Sequence, residues 1–384
     1  MISKHFTPYI GGLEARVIEL AKWLTTKKEN IVVLTSRENN TKTKEEIAGV
    51  KVLRSKTLFT VFNAPITPGI FWDLMREEYD LIDVNLPDPT NSILALAASM
   101  IRQKPIIITY HADILKEGTT LQLFKTFYDP LLNILLKRAK KILVTSPNYA
   151  KQSTTLKPHL AKTEVTPSFV DLNRFNPSRK DANLTKSLAP SGEKIILFVG
   201  RLVPYKGVNI LLESFQKIRD ASHTMLVIVG GGSEKKQLMQ QAELLGLKDS
   251  VKFTSDVPDK ELPLYFGSCD LLVLPSITRQ EAYGLVLVEA MASAKPVITT
   301  NFSGMPYVLG DEKLEKIGEN MMEAQAGILV PPNDSYTLAK AMMKILTDEE
   351  YAKKIGAKGL ERARKMFSTD TVCARVSSAY KSCI

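Results

Sequence analysis

Four short segments carry side chains whose types and spacing could do chemistry. In Arg279-Gln280-Glu281-Ala282-Tyr283-Gly284-Leu285-Val286-Leu287-Val288-Glu289, one carboxylate precedes an apolar run and a second falls inside it. A helix beginning near Tyr283 leaves the amides of Gly284 and Leu285 facing outward, where the helix dipole favours an anion. Glu281 and Glu289 are then one and a half to two turns apart, roughly 10 Å. That spacing suits holding two ends of one extended ligand rather than sharing a proton. A solvent-facing Glu289 is the alternative, but an unpaired carboxylate among so many apolar neighbours is costly.

Gly200-Arg201-Leu202, followed by Tyr205-Lys206-Gly207, sets an Arg and a Lys five residues apart after an apolar strand. Such a pair can converge on a diphosphate, or it can be two solvated cations on a loop. Pro8-Tyr9-Ile10-Gly11-Gly12-Leu13-Glu14 offers a glycine pair that lets backbone amides approach phosphate at a helix start; the other reading is a tight turn. Its spacing matches neither a dinucleotide fingerprint nor a P-loop. His111 follows the strand Ile106–Tyr110 and could bond a sugar hydroxyl, or it could be a structural histidine. His5, His159 and His223 share no ligand spacing and no Asp-X-Asp occurs, so no metal site is expected.

Two sets of elements must position these residues. β-Branched or apolar runs predict strands at Ile31–Thr35, Val50–Arg54, Leu81–Val84, Ile106–Tyr110 and Ile142–Thr145. A second series falls at Ile195–Val199, Met225–Val229, Val251–Phe253, Leu271–Leu274, Val297–Thr299 and Ile328–Val330. Helical spacing fills the intervals, as in Leu13, Val17, Leu20, Ala21 and Leu24. Continuous apolar strands alternating with helices predict an α/β, doubly wound fold, with ligands at the carboxyl ends of the strands. The alternation lapses between Asn173 and Glu193, read as a linker. The expected domains are therefore 1–172 and 173–366, with a final helix near Thr371–Lys381 returning to the first. Met1–Lys4 is short for a buried first strand.

At 384 residues the chain suits two domains. Its apolar runs are far below the roughly 20 residues of a membrane span, and no leader pattern is visible. Three scattered cysteines argue for a reducing, cytoplasmic setting over a disulfide framework. The net charge of +10 favours anionic partners. Nucleic acid is not expected among them, because no nucleic-acid-binding signature is present.

Taken together, the Glu281 to Glu289 segment with Ala290-Met291-Ala292, Gly200-Arg201-Leu202 with Lys206-Gly207, Tyr9 to Glu14, and Val170-Asp171-Leu172-Asn173-Arg174-Phe175 resemble the signature of retaining GT-B glycosyltransferases of family 4. The resemblance spans nearly the whole chain. It implies two Rossmann-like domains facing across a cleft, and transfer of a hexose, mannose or glucose, from a GDP- or UDP-linked donor. It further implies a glycan or lipid-linked acceptor and no metal or other cofactor. Gly11, Gly12, Arg201 and Lys206 would hold the donor diphosphate and Glu289 the ribose. Glu281 and His111 would meet the transferred sugar. Tyr283, Gly284, Leu285 and Val286 would line the donor site, with Val257 beside the base. Catalysis would fall to His111, Glu281, Arg201 and Lys206.

The sequence departs from the family at Ser168-Phe169, where Asn-Gly is common, and at Tyr307, where Glu is frequent. Phe59, Phe62, Ile66, Ile70, Phe71 and Trp72 make an apolar stretch suited to a lipid-linked acceptor. Lys137, Arg138, Lys140, Lys141, Lys151, Lys157, His159 and Lys162 suit peripheral binding at the inner face of an anionic membrane; a packed helix with a solvated basic end is the other reading. A nucleotide-sugar epimerase and a non-catalytic nucleotide-sugar-binding protein are the competing functions.

Overall fold

The apolar runs pair edge to edge as parallel strands in two separate eight-stranded sheets. The structure is a computed structural model that describes residues 1–8, 11–38, 41–61, 64–114, 119–255 and 257–384. The first sheet runs in the order Thr163–Val165, Lys141–Val144, Ile106–Tyr110, Ile82–Leu86, Ile2–Ser3, Val32–Ser36, Val50–Ser55, Lys44–Ile47. Only its last pairing is antiparallel. The second runs Val251–Thr254, Thr224–Val229, Lys194–Val199, Leu271–Leu274, Val297–Thr300, Gly327–Val330, Met321–Ala324, Glu315–Gly318, with the last two pairings antiparallel.

Strands such as Leu271–Leu274 are buried along their whole length, because helices cover both faces of the sheet. Such a sheet has a place where successive crossovers leave in opposite directions, and ligands bind beyond the strand ends there. In the second sheet that place lies between Lys194–Val199 and Leu271–Leu274. The residues that follow these two strands are Gly200 to Gly207 and Pro275 to Gly284, so the topology delivers Arg201, Lys206 and Glu281 to one end of one sheet.

The chain divides into two compact units, Met1–Ser168 with Thr369–Ile384, and Phe169–Ser368. The change of unit therefore falls before Phe169 rather than at the expected 172/173. The stretch read as a linker is instead structured within the second unit, as the turn Pro177–Arg179 and the helix Ala182–Leu188. Asp181 caps that helix by accepting the Leu184 amide at 2.7 Å, and Leu188 is buried. Two leucines in a polar helix are too few to show a period. Inside the second unit the Val170 amide donates to the Phe367 carbonyl at 2.8 Å, which sets the incoming and outgoing segments side by side.

The helix Thr369–Lys381 belongs to the first unit. It is held there by Trp23 Nε1 donating to Asp370 Oδ1 at 2.7 Å and Tyr380 Oη donating to Asp83 Oδ2 at 2.7 Å. Ile2–Ser3, although only two residues long, pairs on both sides, with Ile2 opposite Leu34 and Val84.

Strands that sequence reading passed over are short or polar: Lys44–Ile47, Thr163–Val165, Glu315–Gly318, Met321–Ala324 and the antiparallel pair Phe59–Val61 with Ala64–Ile66. That pair and the helix Gly69–Arg76 carry the apolar stretch that includes Phe59 and Trp72. Phe59 and Trp72 are exposed and Ile70 is buried, while Phe62 lies outside the described residues. Part of the basic group near Lys137 is structural. Lys162 Nζ donates to the Lys137 and Ala139 carbonyls at the end of the helix Thr119–Arg138, and His159 is buried against Asn133 Oδ1 at 2.9 Å. All three cysteines are buried and unpaired with one another.

Candidate active site

Lys206 ends the turn Pro204–Lys206, and the chain leaves it through Gly207 at φ 65°. A Cβ at Gly207 would lie 2.3 Å from the Pro275 carbonyl oxygen, so only glycine lets this loop press against the one after Leu271–Leu274. Gly230 plays the same part on the other side, where a Cβ would come within 2.1 Å of the Gly200 carbonyl. The Leu202 amide then bonds the Gly231 carbonyl at 2.8 Å. Three strand-end loops are thereby stitched together by backbone contact, and Lys206 is turned inward.

Lys206 and Glu281 are both 9% exposed, with Lys206 Nζ 2.5 Å from Glu281 Oε2. Ser276 Oγ donates to the same oxygen at 3.2 Å, and the Gly284 amide donates to Oε1 at 3.1 Å. Both carboxylate oxygens are engaged, which a buried charge requires if desolvation is to be offset. The Gly284 amide is therefore committed to Glu281 and does not face an incoming anion, contrary to the sequence expectation. The helix itself is Leu285–Ala292, starting two residues later than expected, because Gly284 takes the capping position in a left-handed conformation.

Arg201 is exposed, with one Nη donating to Tyr205 Oη at 3.2 Å, which leaves the rest of its fork toward solvent. Glu289, inside the helix, is partly exposed. Burial pushes its carboxyl up to about 7; Arg174 pulls it back and Asp259 adds to the rise. Arg174 is itself paired with Asp259 at 2.6 Å, so little of its charge serves Glu289. A raised carboxyl of this kind is a feature that functional sites share with structural ion-pair networks.

Val257, Leu285 and Val286 are partly buried, and Val257 and Val286 pack on the second unit's core. The Tyr283 side chain is 6% exposed and meets Phe367 edge to face at 6.3 Å between centroids. The ring is packed in the core, which turns this side chain away from the donor site that the resemblance implied for it.

In the first unit, Gly11 caps the helix Gly12–Thr26 in an extended conformation with no side-chain cap, and a Cβ at Gly12 would meet nothing within 4 Å. Among the described residues no side chain caps the helix's first amides. Tyr9 and Ile10 lie outside the described residues. The His111 amide bonds the Leu86 carbonyl at 3.0 Å and its ring Nε2 lies 3.0 Å from Asn85 Oδ1. Burial, with Arg16 nearby, pushes the imidazole down to about 3.

Direct contact thus joins Lys206 to Glu281 and Glu281 to Gly284. Glu289 stands apart from that group, and Gly11, Gly12 and His111 belong to the other unit. Sequence reading missed Ser276 and Asn85. Ser276 stood in plain view at a strand end, whereas nothing in the sequence pairs Asn85 with a histidine twenty-six positions away. Among the described residues, no group of three or more His, Cys, Asp or Glu side chains could hold a metal ion.

Comparison with known proteins assigns each unit. Residues 10–174 match the model of Glycosyltransferase Family 4, and residues 179–362 match that of Glycosyl transferases group 1. The chain is 28% identical over 363 residues to the O-antigen chain mannosyltransferase C of Escherichia coli, covering 94% of this chain and 91% of that protein. It is 24% identical over 379 residues to a phosphatidyl-myo-inositol mannosyltransferase of Mycobacterium leprae, covering 97% and 93%. Among solved structures, Anabaena HepE in complex with UDP superposes with a TM-score of 0.78 at 21% identity, covering 99% of this chain and 98% of that one. The sucrose-phosphate synthase of Thermosynechococcus elongatus gives 0.76 at 22%, covering 99% and 97%. These structural likenesses speak for the fold, two Rossmann-like α/β units. The family matches decide among transferase, epimerase and binding protein, and this chain is a glycosyltransferase of the group 1, family 4 kind.

Proposed function

We propose that the enzyme transfers a hexose from a nucleoside-diphosphate sugar to a glycan or lipid-linked acceptor, with retention of anomeric configuration and without a bound metal. The observation that carries this reading is the buried Lys206–Glu281 pair, set beside the exposed fork of Arg201 at the end of one sheet. Two cations at that place can take up charge growing on a leaving diphosphate, work that fixed, preorganised groups do well. Glu281, held by Lys206, Ser276 and Gly284, presents a fixed acceptor to hydroxyls of the transferred sugar. Glu289 accepts the ribose hydroxyls, and the first unit supplies the uncapped helix start at Gly12 and the ring of His111. The acceptor hydroxyl attacks from the face the diphosphate leaves, and a phosphate oxygen takes its proton.

The two mannosyltransferase relatives favour mannose, and the UDP-bound neighbour keeps UDP under test beside GDP. In a melting panel with UDP, GDP and ADP at about 100 times Kd, one diphosphate is expected to add roughly 2.7 kcal/mol. That is on the order of 5 °C in Tm, unchanged by EDTA. If none of the three raises Tm, the donor site is misassigned.

The helix Thr119–Arg138 supports a reading of peripheral attachment to an anionic membrane face. Phe127, Leu131 and Ile134 share one exposed face, followed by exposed Lys137, Lys140, Lys151 and Lys157. Among the described residues no helix is long and apolar enough to cross a membrane. Phosphatidylglycerol vesicles should sediment the enzyme at low salt, and a Phe127→Ser/Ile134→Ser variant should stay in the supernatant. Equal sedimentation of parent and variant would sink the idea.

A further inference from the structure

The hydrogen bonds around His111 form a chain that ends in the helix Thr369–Lys381. Asn85 Nδ2 donates to the Ile2 carbonyl at 3.1 Å and approaches Asp83 Oδ2 at 3.4 Å. Asp83 in turn accepts from Thr109 Oγ1 at 2.9 Å and from Tyr380 Oη at 2.7 Å. All four side chains other than that of Tyr380 come from adjacent strands or the residue just after one, Ile82–Leu86 and Ile106–Tyr110.

This chain has a direction. A backbone carbonyl can only accept, so the Asn85 group facing Ile2 must be its NH2. The flipped amide would set two oxygens against each other, and would do so again at a carboxylate. Asn85 Oδ1 therefore faces His111, and it too can only accept. The His111 nitrogen 3.0 Å away must then carry the hydrogen. The proton sits on Nε2, and Nδ1 is left with a lone pair and no hydrogen-bond partner among the described residues.

We propose that Asn85 is a positioning residue for His111: anchored by the Ile2 carbonyl and by Asp83, which Thr109 and Tyr380 brace, it fixes the Nε2–H tautomer and so presents Nδ1 as an acceptor to a donor-sugar hydroxyl. The proposal rests on the reading that His111 contacts the transferred sugar. It assigns His111 the role of a neutral hydrogen-bond acceptor that does not donate a proton. The low basicity of the ring agrees, since burial and the Arg16 charge both oppose a second proton. Polar chains of this kind fix ring orientation when every member is satisfied. Here the last brace, Tyr380, is supplied by a segment far from the strands in sequence.

The test is nitrogen-15 NMR of the imidazoles in the full chain, where four histidines make the spectrum tractable and a His111→Gln variant identifies its signals. The parent should show His111 protonated on Nε2 and bare on Nδ1. In Asn85→Leu that single tautomer should give way to a mixture, with kcat down about tenfold and the donor KM within about twofold. Protonated Nδ1 in the parent overturns the proposal, and this needs no variant to fold. So does an unchanged tautomer in Asn85→Leu, or a changed one with full kcat. Melting with GDP and UDP on the same samples keeps the two readings apart. Loss of nucleotide binding in the parent would strike the donor assignment and leave the tautomer result standing.

Discussion

Lys206→Met is expected to lower kcat by about a thousandfold and to destabilise the enzyme as well. On the proposed mechanism the rate loss follows from removing a fixed cation where the leaving diphosphate gathers charge, a kind of group whose deletion costs about 10²–10³ in rate. The stability loss has a different origin. Glu281 would keep only Ser276 and the Gly284 amide as partners, and stripping one member from a buried ion pair costs about 3–5 kcal/mol. Melting curves and steady-state kinetics separate the two. In Lys206→Met/Glu281→Gln the uncompensated charge is gone, so most of the lost Tm should return while the rate stays low. A Lys206→Met enzyme with near-normal kcat would remove Lys206 from the chemistry.

Glu289→Gln should weaken donor binding and, above neutrality, strengthen the fold. The Glu289 carboxyl titrates at about 7 in the folded enzyme because of burial, against an ordinary value of 4.5. Between those values the folded state holds more protons than the unfolded one, so stability falls as pH rises through 4.5 to 7 and levels off above. The neutral amide avoids that fall. At pH 8 the variant is expected to be more stable by on the order of 1–3 kcal/mol, seen as a higher Tm, and at pH 4.5 the difference should vanish. Binding moves the other way. On the proposed donor site the ionised carboxylate accepts two ribose hydroxyls, so the parent's donor KM should fall as pH rises through about 7. Hydrogen bonds to a charged group are worth about 1.5–3 kcal/mol, which sets the variant's KM roughly ten- to a hundredfold higher at pH 8, with a flat pH profile. A variant less stable than the parent at pH 8 would contradict the burial assigned to Glu289.

The strands that position the site were legible because they are buried on both faces. Lys194–Val199 and Leu271–Leu274 read as unbroken apolar runs, and the residues after them inherit their place from the sheet. Edge strands such as Lys44–Ile47 and Glu315–Gly318 face solvent, lack that signal and were not seen. Lys206 and Glu281 could be named from spacing, but their direct contact could not. It depends on Gly207 and Gly230 admitting backbone to within a carbonyl's reach, a property of three loops folded together. The same limit applied at Tyr283, whose ring turned inward to Phe367, and at Asn85, whose partners beyond its own strand come from two separate segments.

The placement of Thr369–Ile384 in the first unit fixes an order of events during synthesis. The second unit is one continuous stretch, so it has its whole chain before the helix bearing Tyr380 has been translated. At about 5–20 residues per second, the first unit waits on the order of 10–40 s, its Asp83 carboxyl without the hydroxyl that later braces it. The unit begun first on the ribosome is therefore finished last. A chain released early, after Ser368, would carry an intact second unit able to take up nucleotide, beside a first unit whose central polar chain was never closed.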